Sequence, residues 1–298
     1  YKRQLQDAIA IRPGVAFRGY VATAVGFGGA DGPATDWHGL MVEANRALNA
    51  FGTMHRIVYL WRFGLPTFEA YSQILEPALY AVTTRLLNRP EDQQTRNITI
   101  VTRINMPLMR SLGIRFVIAD FELPAPARLV TKDSKDGVTH FLYDIADANL
   151  GTYSPTKVVV ATDATDALSK LANPDFDFRQ SVVLQAPLDG PLQPADKVNV
   201  TVERDGWRLR ATAPGRAILL LPMQMSQCLN VEVHSGSSGK VQSLKRANLT
   251  STAVIFEGTI DASLSLRVSP FESAYCRLRD KEEMIAFGLR AIPVSYTH

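Results

Sequence analysis

The segment His55–Pro90, HRIVYLWRFGLPTFEAYSQILEPALYAVTTRLLNRP, decides how the first half of the chain is read. Its leading part sets Tyr59, Trp61 and Phe63 among His55, Arg56 and Arg62, then breaks at Gly64 and Pro66. Proline fixes its own φ and disfavours a helical conformation in the residue before it, so Leu65 and Pro66 read as an extended lead-in. Thr67 then stands as an N-cap, and Tyr71, Ile74, Leu75, Leu79, Val82 and Leu86 recur at helical spacing. Pro77 is expected to interrupt or kink this helix, and Asn88 to Pro90 to end it. The N-terminal domain is expected to fold around this aromatic, basic segment and the helix it feeds.

Upstream, Tyr1–Ala10 has the alternation of a short helix, Val15–Ala24 that of a strand, and Gly26–Gly32 is a glycine-rich loop. That loop has neither GxGxxG nor the Lys-Ser/Thr of a P-loop, which leaves it a surface loop. Leu40, Ala44, Ala47 and Leu48 mark a helix over Gly39–Phe51, closed by Gly52. Downstream, Arg96–Thr102 alternates as a strand, Pro107–Leu112 makes a short helix stopped by Gly113, and Ile114–Ala119 is a compact strand ending on Asp120. Lys132–Gly137 reads as a hairpin loop between Ala127–Val130 and Thr139–Asp144. A loop over Asn149–Pro155 leads to the strand Lys157–Ala161 and to a helix, Ala164–Leu171, capped by Asp163.

Pro187–Pro194 concentrates three prolines and a glycine, the composition of a linker, and the domain boundary is placed there. Beyond it come seven short runs: Val198–Glu203, Trp207–Ala213, Ala217–Leu221, Leu229–His234, Val241–Leu244, Ala253–Thr259 and Leu264–Ser269. Turns separate them, Asp205-Gly206 being a hairpin signal, and the spacing predicts a sandwich. The expected fold class is α+β, with a mixed α/β domain over residues 1–188 and an antiparallel β-sandwich over 189–298 that ends in a helix at Asp280–Leu289.

The chain has 298 residues, 46% hydrophobic and 20% charged, enough to bury one large core or two ordinary ones. Its net charge of +3 comes from scattered residues with no run of five or six Lys or Arg, which argues against a nucleic-acid partner. Cys228 and Cys276 stand alone, without zinc-type spacing, so no metal or other cofactor is expected. Both are placed on strands, and two alternatives stay open: buried free thiols, or a bridge in an oxidising compartment. No window approaches the roughly 20 apolar residues that span a bilayer. Because it starts at Tyr1 without Met, the sequence is expected to be a piece of a longer protein.

Sugar recognition uses aromatic faces for the apolar side of the ring and planar polar groups for its hydroxyls. Trp37, His38, His55, Arg56, Trp61, Arg62, Glu69 and Tyr71 supply both within one span and form the candidate substrate-binding set, although Trp61, Phe63 and Tyr71 also suit a core. Trp207, just after a hairpin, could stack on a sugar or sit in a core. No residue is assigned a catalytic role. Three Asn-x-Thr sequons, at Asn97, Asn199 and Asn248, are taken as chance occurrences.

The order of features carries a resemblance. FRGY (residues 17–20), LWRFGLPTFEAYSQ (60–73), SLGIRFVIAD (111–120), NLGTYSPTKVVVATDATDALSKL (149–171) and NPDFDFRQSVVL (173–184), then the strand Leu219–Pro222 and the turn Arg246–Asn248, resemble the extracytoplasmic portion of bacterial YfhO-like, GT-C-type membrane glycosyltransferases. The resemblance covers most of the chain. It implies a region at the extracytoplasmic (periplasmic) face of the cell membrane, tied to that membrane through flanking transmembrane helices. The implied partner is a glycan or lipid-linked sugar. The catalytic acid of that class lies beside membrane helices absent from this sequence, so the implied role is to shape the acceptor or glycan side of the site. Two further classes remain: a free-standing carbohydrate-binding module, and a soluble hydrolase pairing His55 with Asp120, which requires the two in one cleft.

Overall fold

The computed structural model describes residues 8, 10, 12–24, 64–68, 76–87, 94–95, 98–99, 105–135, 138–266 and 270–289. The described residues are mostly β, in several sheets in which antiparallel pairing predominates. They belong to two compact units. Unit 1 comprises Tyr1–Ile11, Arg18–Gln73 and Leu87–Ala148, and unit 2 comprises Arg12–Phe17, Ile74–Leu86 and Asn149–His298.

The expected strand over Val15–Ala24 divides into β1 (Val15–Ala16) and β2 (Tyr20–Ala24). Gly19 lies between them at φ 99°, a conformation that costs other residues a steric clash, and it ends one extended run so that another can start. β1 pairs with a strand of unit 2 and β2 with one of unit 1. Leu65 and Pro66 are extended as expected: the Val21 amide donates to Pro66 O and the Phe68 amide to Val21 O, both at 2.8 Å. Thr67 is bridged to Val21 alongside β2, and the helix it was expected to cap falls outside the described residues.

Pro77 starts a helix where an interruption was expected. α1 (Pro77–Val82) opens with proline in its first turn and Glu76 as N-cap, the carboxylate accepting from the Leu79 amide at 2.7 Å. The first helical position needs no amide donor, so proline fits there without loss. A π-helical turn, Thr83–Leu87, follows. β3 (Gln94–Thr95) and β4 (Ile98–Thr99) form a short antiparallel pair. α2 (Met106–Ser111) is capped by the side chain of Asn105.

Unit 1 is centred on a four-stranded mixed sheet in the order β2, β5 (Ile114–Ala119), β7 (Val138–Ile145), β6 (Ala127–Lys135). β2 and β5 run parallel and the other pairs antiparallel. Ile114, Phe116, Val117, Ile118 and Ala119 of β5 are all buried, which accounts for its unbroken apolar run. The β6–β7 ladder continues to Lys135 and Val138, so the hairpin is tighter than the expected Lys132–Gly137 loop.

The longest segment of unit 2 starts at Asn149, continues through β8 (Lys157–Val160), α3 (Ala164–Ala172) and the parallel β9 (Ser181–Leu184), then enters the large sheet. Asp163 caps α3 by accepting from the Asp166 amide at 2.9 Å, as the sequence indicated. The large sheet runs β1, β10 (Asp196–Glu203), β11 (Gly206–Gln224), β14 (Ser251–Leu266), β12 (Leu229–Val233), and β13 (Lys240–Ala247) also pairs with β14. Every pair in it is antiparallel. α4 (Pro270–Ala286) follows and takes in part of the helix expected at Asp280–Leu289, starting ten residues earlier.

The seven expected strands here are five. Pro214 and Gly215 read as a turn, yet they occupy a bulge between Ala213 and Arg216, across which β11 stays paired with β14. A second bulge carries β11 past Pro222. Gly206 is fixed by close approach: a Cβ there would lie 1.9 Å from the Leu264 carbonyl oxygen. Ala217–Leu221 are fully buried, as are Ala253, Val254 and Phe256 opposite, so the middle of the β11–β14 pair is covered on both faces and reads as a continuous apolar run.

The stretch Pro187–Pro194 is not a linker between units; both sides of it belong to unit 2, and the Gln193 amide donates to Arg216 O at 2.8 Å. Residues 149–188, assigned by the sequence to the first domain, also group with unit 2. The reason is visible at β9, where the Asn248 amide donates to Val183 O at 3.0 Å and the Val183 amide to Asn248 Oδ1 at 2.8 Å.

Candidate functional site

A recess among the described residues lies within unit 2, beside the inner face of α4. That face is set by spacing: Cys276, Asp280, Glu283 and Phe287 recur at intervals of four, three and four, so they share one side of the helix. Each is tied down. Cys276 forms a disulfide with Cys228, with a Cα–Cα distance of 5.0 Å, which settles the alternatives in favour of the bridge. Cys276 stands on the helix and Cys228 in the turn before β12, so neither is on a strand. Asp280 accepts from Ser226 Oγ at 2.5 Å and from the Gln227 amide at 2.7 Å. Phe287 O accepts from the Ala164 amide at 2.8 Å.

Arg246, on β13 and only 3% exposed, faces three carboxylates: Glu283 at 3.1 Å, Asp280 at 3.7 Å and Glu76 at 3.9 Å. A buried guanidinium would cost several kcal/mol if left alone, and the surrounding negative charge offsets that cost. Glu76 is itself largely enclosed, and burial holds its carboxyl above the ordinary glutamate value despite the helix-capping amide of Leu79 and the charge of Arg246. The network therefore docks α1 and α4 on the end of β13.

Against this clamp lies a recess of about 580 Å³. Leu184, Met225 and Ile255 give it a buried apolar floor, and the segment 185–189 forms one wall. Gln227, Gln242, Arg216, Lys245 and Arg279 bring amide, guanidinium and ammonium groups to its lining. Gln227 is held by two contacts, donating to Glu283 Oε2 at 2.9 Å and accepting from Arg279 at 3.1 Å. Arg216 Nη1 donates to the backbone oxygen of Asp189, while its buried Nε has no hydrogen-bond partner among the described residues. A floor of aliphatic side chains under planar polar groups can hold a polar, ring-shaped ligand. Among the described residues no group of His, Cys, Asp and Glu could hold a metal ion.

The sequence-derived candidates Trp37, His38, His55, Arg56, Trp61, Arg62, Glu69 and Tyr71 all lie outside the described residues. Asp120 is 7% exposed at the end of β5, and its suggested partner His55 lies outside the described residues too. Trp207 is half-buried with its ring 4.7 Å from that of Phe17, a packing contact between β11 and the segment after β1. Of the sequons, Asn248 is 3% exposed and its side chain is engaged with β9, so it is a structural residue.

The recess residues went unrecognised in the sequence because they come from six separated segments and form no local motif. One signal was available: Cys276, Asp280, Glu283 and Phe287 make a helical stripe of which two members are acidic, which a search for apolar periodicity passes over. The chain matches no protein-family model, no curated protein and no solved structure.

Proposed function

We propose that this chain is an extracytoplasmic glycan-holding region that performs no catalysis alone and presents a glycan or lipid-linked sugar, as its resemblance to YfhO-like, GT-C-type membrane glycosyltransferases implies. The observation that carries the proposal is the recess of unit 2, whose aliphatic floor and amide and guanidinium lining match the two sides of a sugar ring. The Cys228–Cys276 disulfide supports the compartment, since such bonds persist where the surroundings are oxidising. Among the described residues no helix is long and apolar enough to cross a membrane, and in this proposal the attachment to the bilayer comes from segments beyond the chain. Unit 2 then serves as a sandwich-like support, consistent with the β11–β14 pair being covered on both faces.

A glycan array probed with the purified, oxidised chain tests the proposal. Retention of a defined glycan class, weakened by Gln242→Ala on the exposed rim, is the expected result. An array on which the wild-type chain retains nothing, or retains glycans equally well after Gln242→Ala and Gln227→Ala, would overturn it.

A further inference from the structure

The charges around the recess do not cancel locally. Four cations line it, Arg216, Lys245, Arg246 and Arg279, against two carboxylates, Asp189 and Glu283. Arg246 is committed to Glu283, Asp280 and Glu76, and Glu283 in turn to Arg246 and Gln227. Setting that neutralising cluster aside leaves Arg216, Lys245 and Arg279 facing only the exposed Asp189. Lys245 is exposed and has no ion-pair partner among the described residues, and the sole described hydrogen bond of Arg279 is to a neutral amide oxygen. Arg216 keeps its buried Nε unsatisfied. A buried donor without a partner is costly, and an oxyanion accepting from it would recover that cost.

We propose that the ligand of this recess is an anionic saccharide, one whose carboxylate or phosphate is gripped by Arg216, Lys245 and Arg279 while its sugar ring rests over Leu184, Met225 and Ile255. Guanidinium forks pair with planar carboxylates and with phosphates through two parallel bonds, and the lysine adds a point charge. The inference deepens the glycan-holding proposal and rests on it.

The test is calorimetric titration of the oxidised chain with five probes: a glucuronate-containing oligosaccharide, its neutral glucose counterpart, a sugar phosphate, free glucuronate and inorganic phosphate. Lys245→Gln and Arg279→Gln are the variants, because both side chains are exposed and their loss leaves the buried cluster intact. The expected result is a preference of at least about tenfold for one of the acidic probes over the neutral one, and a loss of about tenfold in that affinity in either variant. The affinity for the neutral probe should fall by a smaller factor than that for the acidic probe in either variant, since a neutral partner loses less than a charged one. Tighter binding of the uronate assigns a carboxylate, and of the sugar phosphate a phosphate. Equal binding of neutral and acidic saccharides overturns the inference and leaves the glycan proposal standing. Binding of free glucuronate or inorganic phosphate with no saccharide chain bound supports the anion site and overturns the glycan proposal. No binding of any probe overturns both.

Discussion

Removing the disulfide gives the most direct test of how the candidate site is held. Cys228 and Cys276 are 48 residues apart in sequence, and closing a loop of that length in the unfolded chain removes entropy worth about 4 kcal/mol at 25 °C. The Ser226, Gln227 and Arg246 contacts to α4 remain when the bond is absent, so the native state loses a constraint without losing its packing. For a unit of this size each kcal/mol moves the melting temperature by roughly 2–4 °C, so Cys228→Ser with Cys276→Ser should lower the melting temperature of unit 2 by about 10 °C. Differential scanning calorimetry checks this, with two controls. Dithiothreitol should lower the wild-type transition by a similar amount and leave the double variant unchanged. Two thiols titrating in the folded, untreated wild-type protein, or a shift under about 2 °C, would refute the reasoning.

Three other outcomes are expected. Asn149→Ala should destabilise unit 2 by about 3–5 kcal/mol in urea denaturation, because Oδ1 of this fully buried residue accepts from the amides of Gly151, Thr152 and Tyr153 and its Nδ2 donates to Leu220 O; a loss under about 1 kcal/mol would contradict the assignment. Asp261 accepts from Arg208 and Arg210, and the Arg208 hydrogen bond chiefly lowers its pKa to about 2. Its pairing therefore contributes above the ordinary value of 3.8 and is lost as pH falls through about 2, so the stability gap between wild type and Asp261→Asn should close over that window in acid melts. Glu76 has the opposite sign. Its raised folded-state pKa favours the protonated form, so the ionised carboxyl lowers stability as pH rises above 4.5, and Glu76→Gln, which keeps a cap acceptor, should melt higher than wild type at neutral pH but not in acid.

Local signals in the sequence carried as far as their physics is local. Asp163 as a cap and Gly113 as a stop depend on a few neighbouring residues, and each stands as expected. Pro77 shows the limit. A proline in an apolar helical pattern can break a helix or begin one, and here Glu76 supplies the cap that makes it a beginning. Pro214-Gly215 has the composition of a turn, but the β14 ladder on one side holds the chain straight through it. Asp261 has turn propensity, and its pairing with Arg208 and Arg210 keeps β14 continuous across the place where a break was expected. For Pro214-Gly215 and for Asp261 the deciding partner is distant in sequence.

The recess was illegible for the same reason, and its construction shows why charge and cross-link occur together there. A helix whose inward stripe is Cys276, Asp280, Glu283 and Phe287 cannot dock by apolar burial alone, because two of those four positions are acidic. The buried Arg246 neutralises them, the disulfide holds the helix against the turn at Ser226–Cys228, and the two together fix the helix in register. That register places Arg279, one residue before Asp280, beside Gln227 at the rim of the recess. An all-apolar stripe could dock α4 at least as firmly. It would not bring Gln227 to Glu283 or leave Lys245, next to the committed Arg246, as an uncommitted charge on the same wall. The polar clamp thus orders the side chains on which the proposed anionic ligand depends, and loosening it should weaken that ligand before it unfolds unit 2.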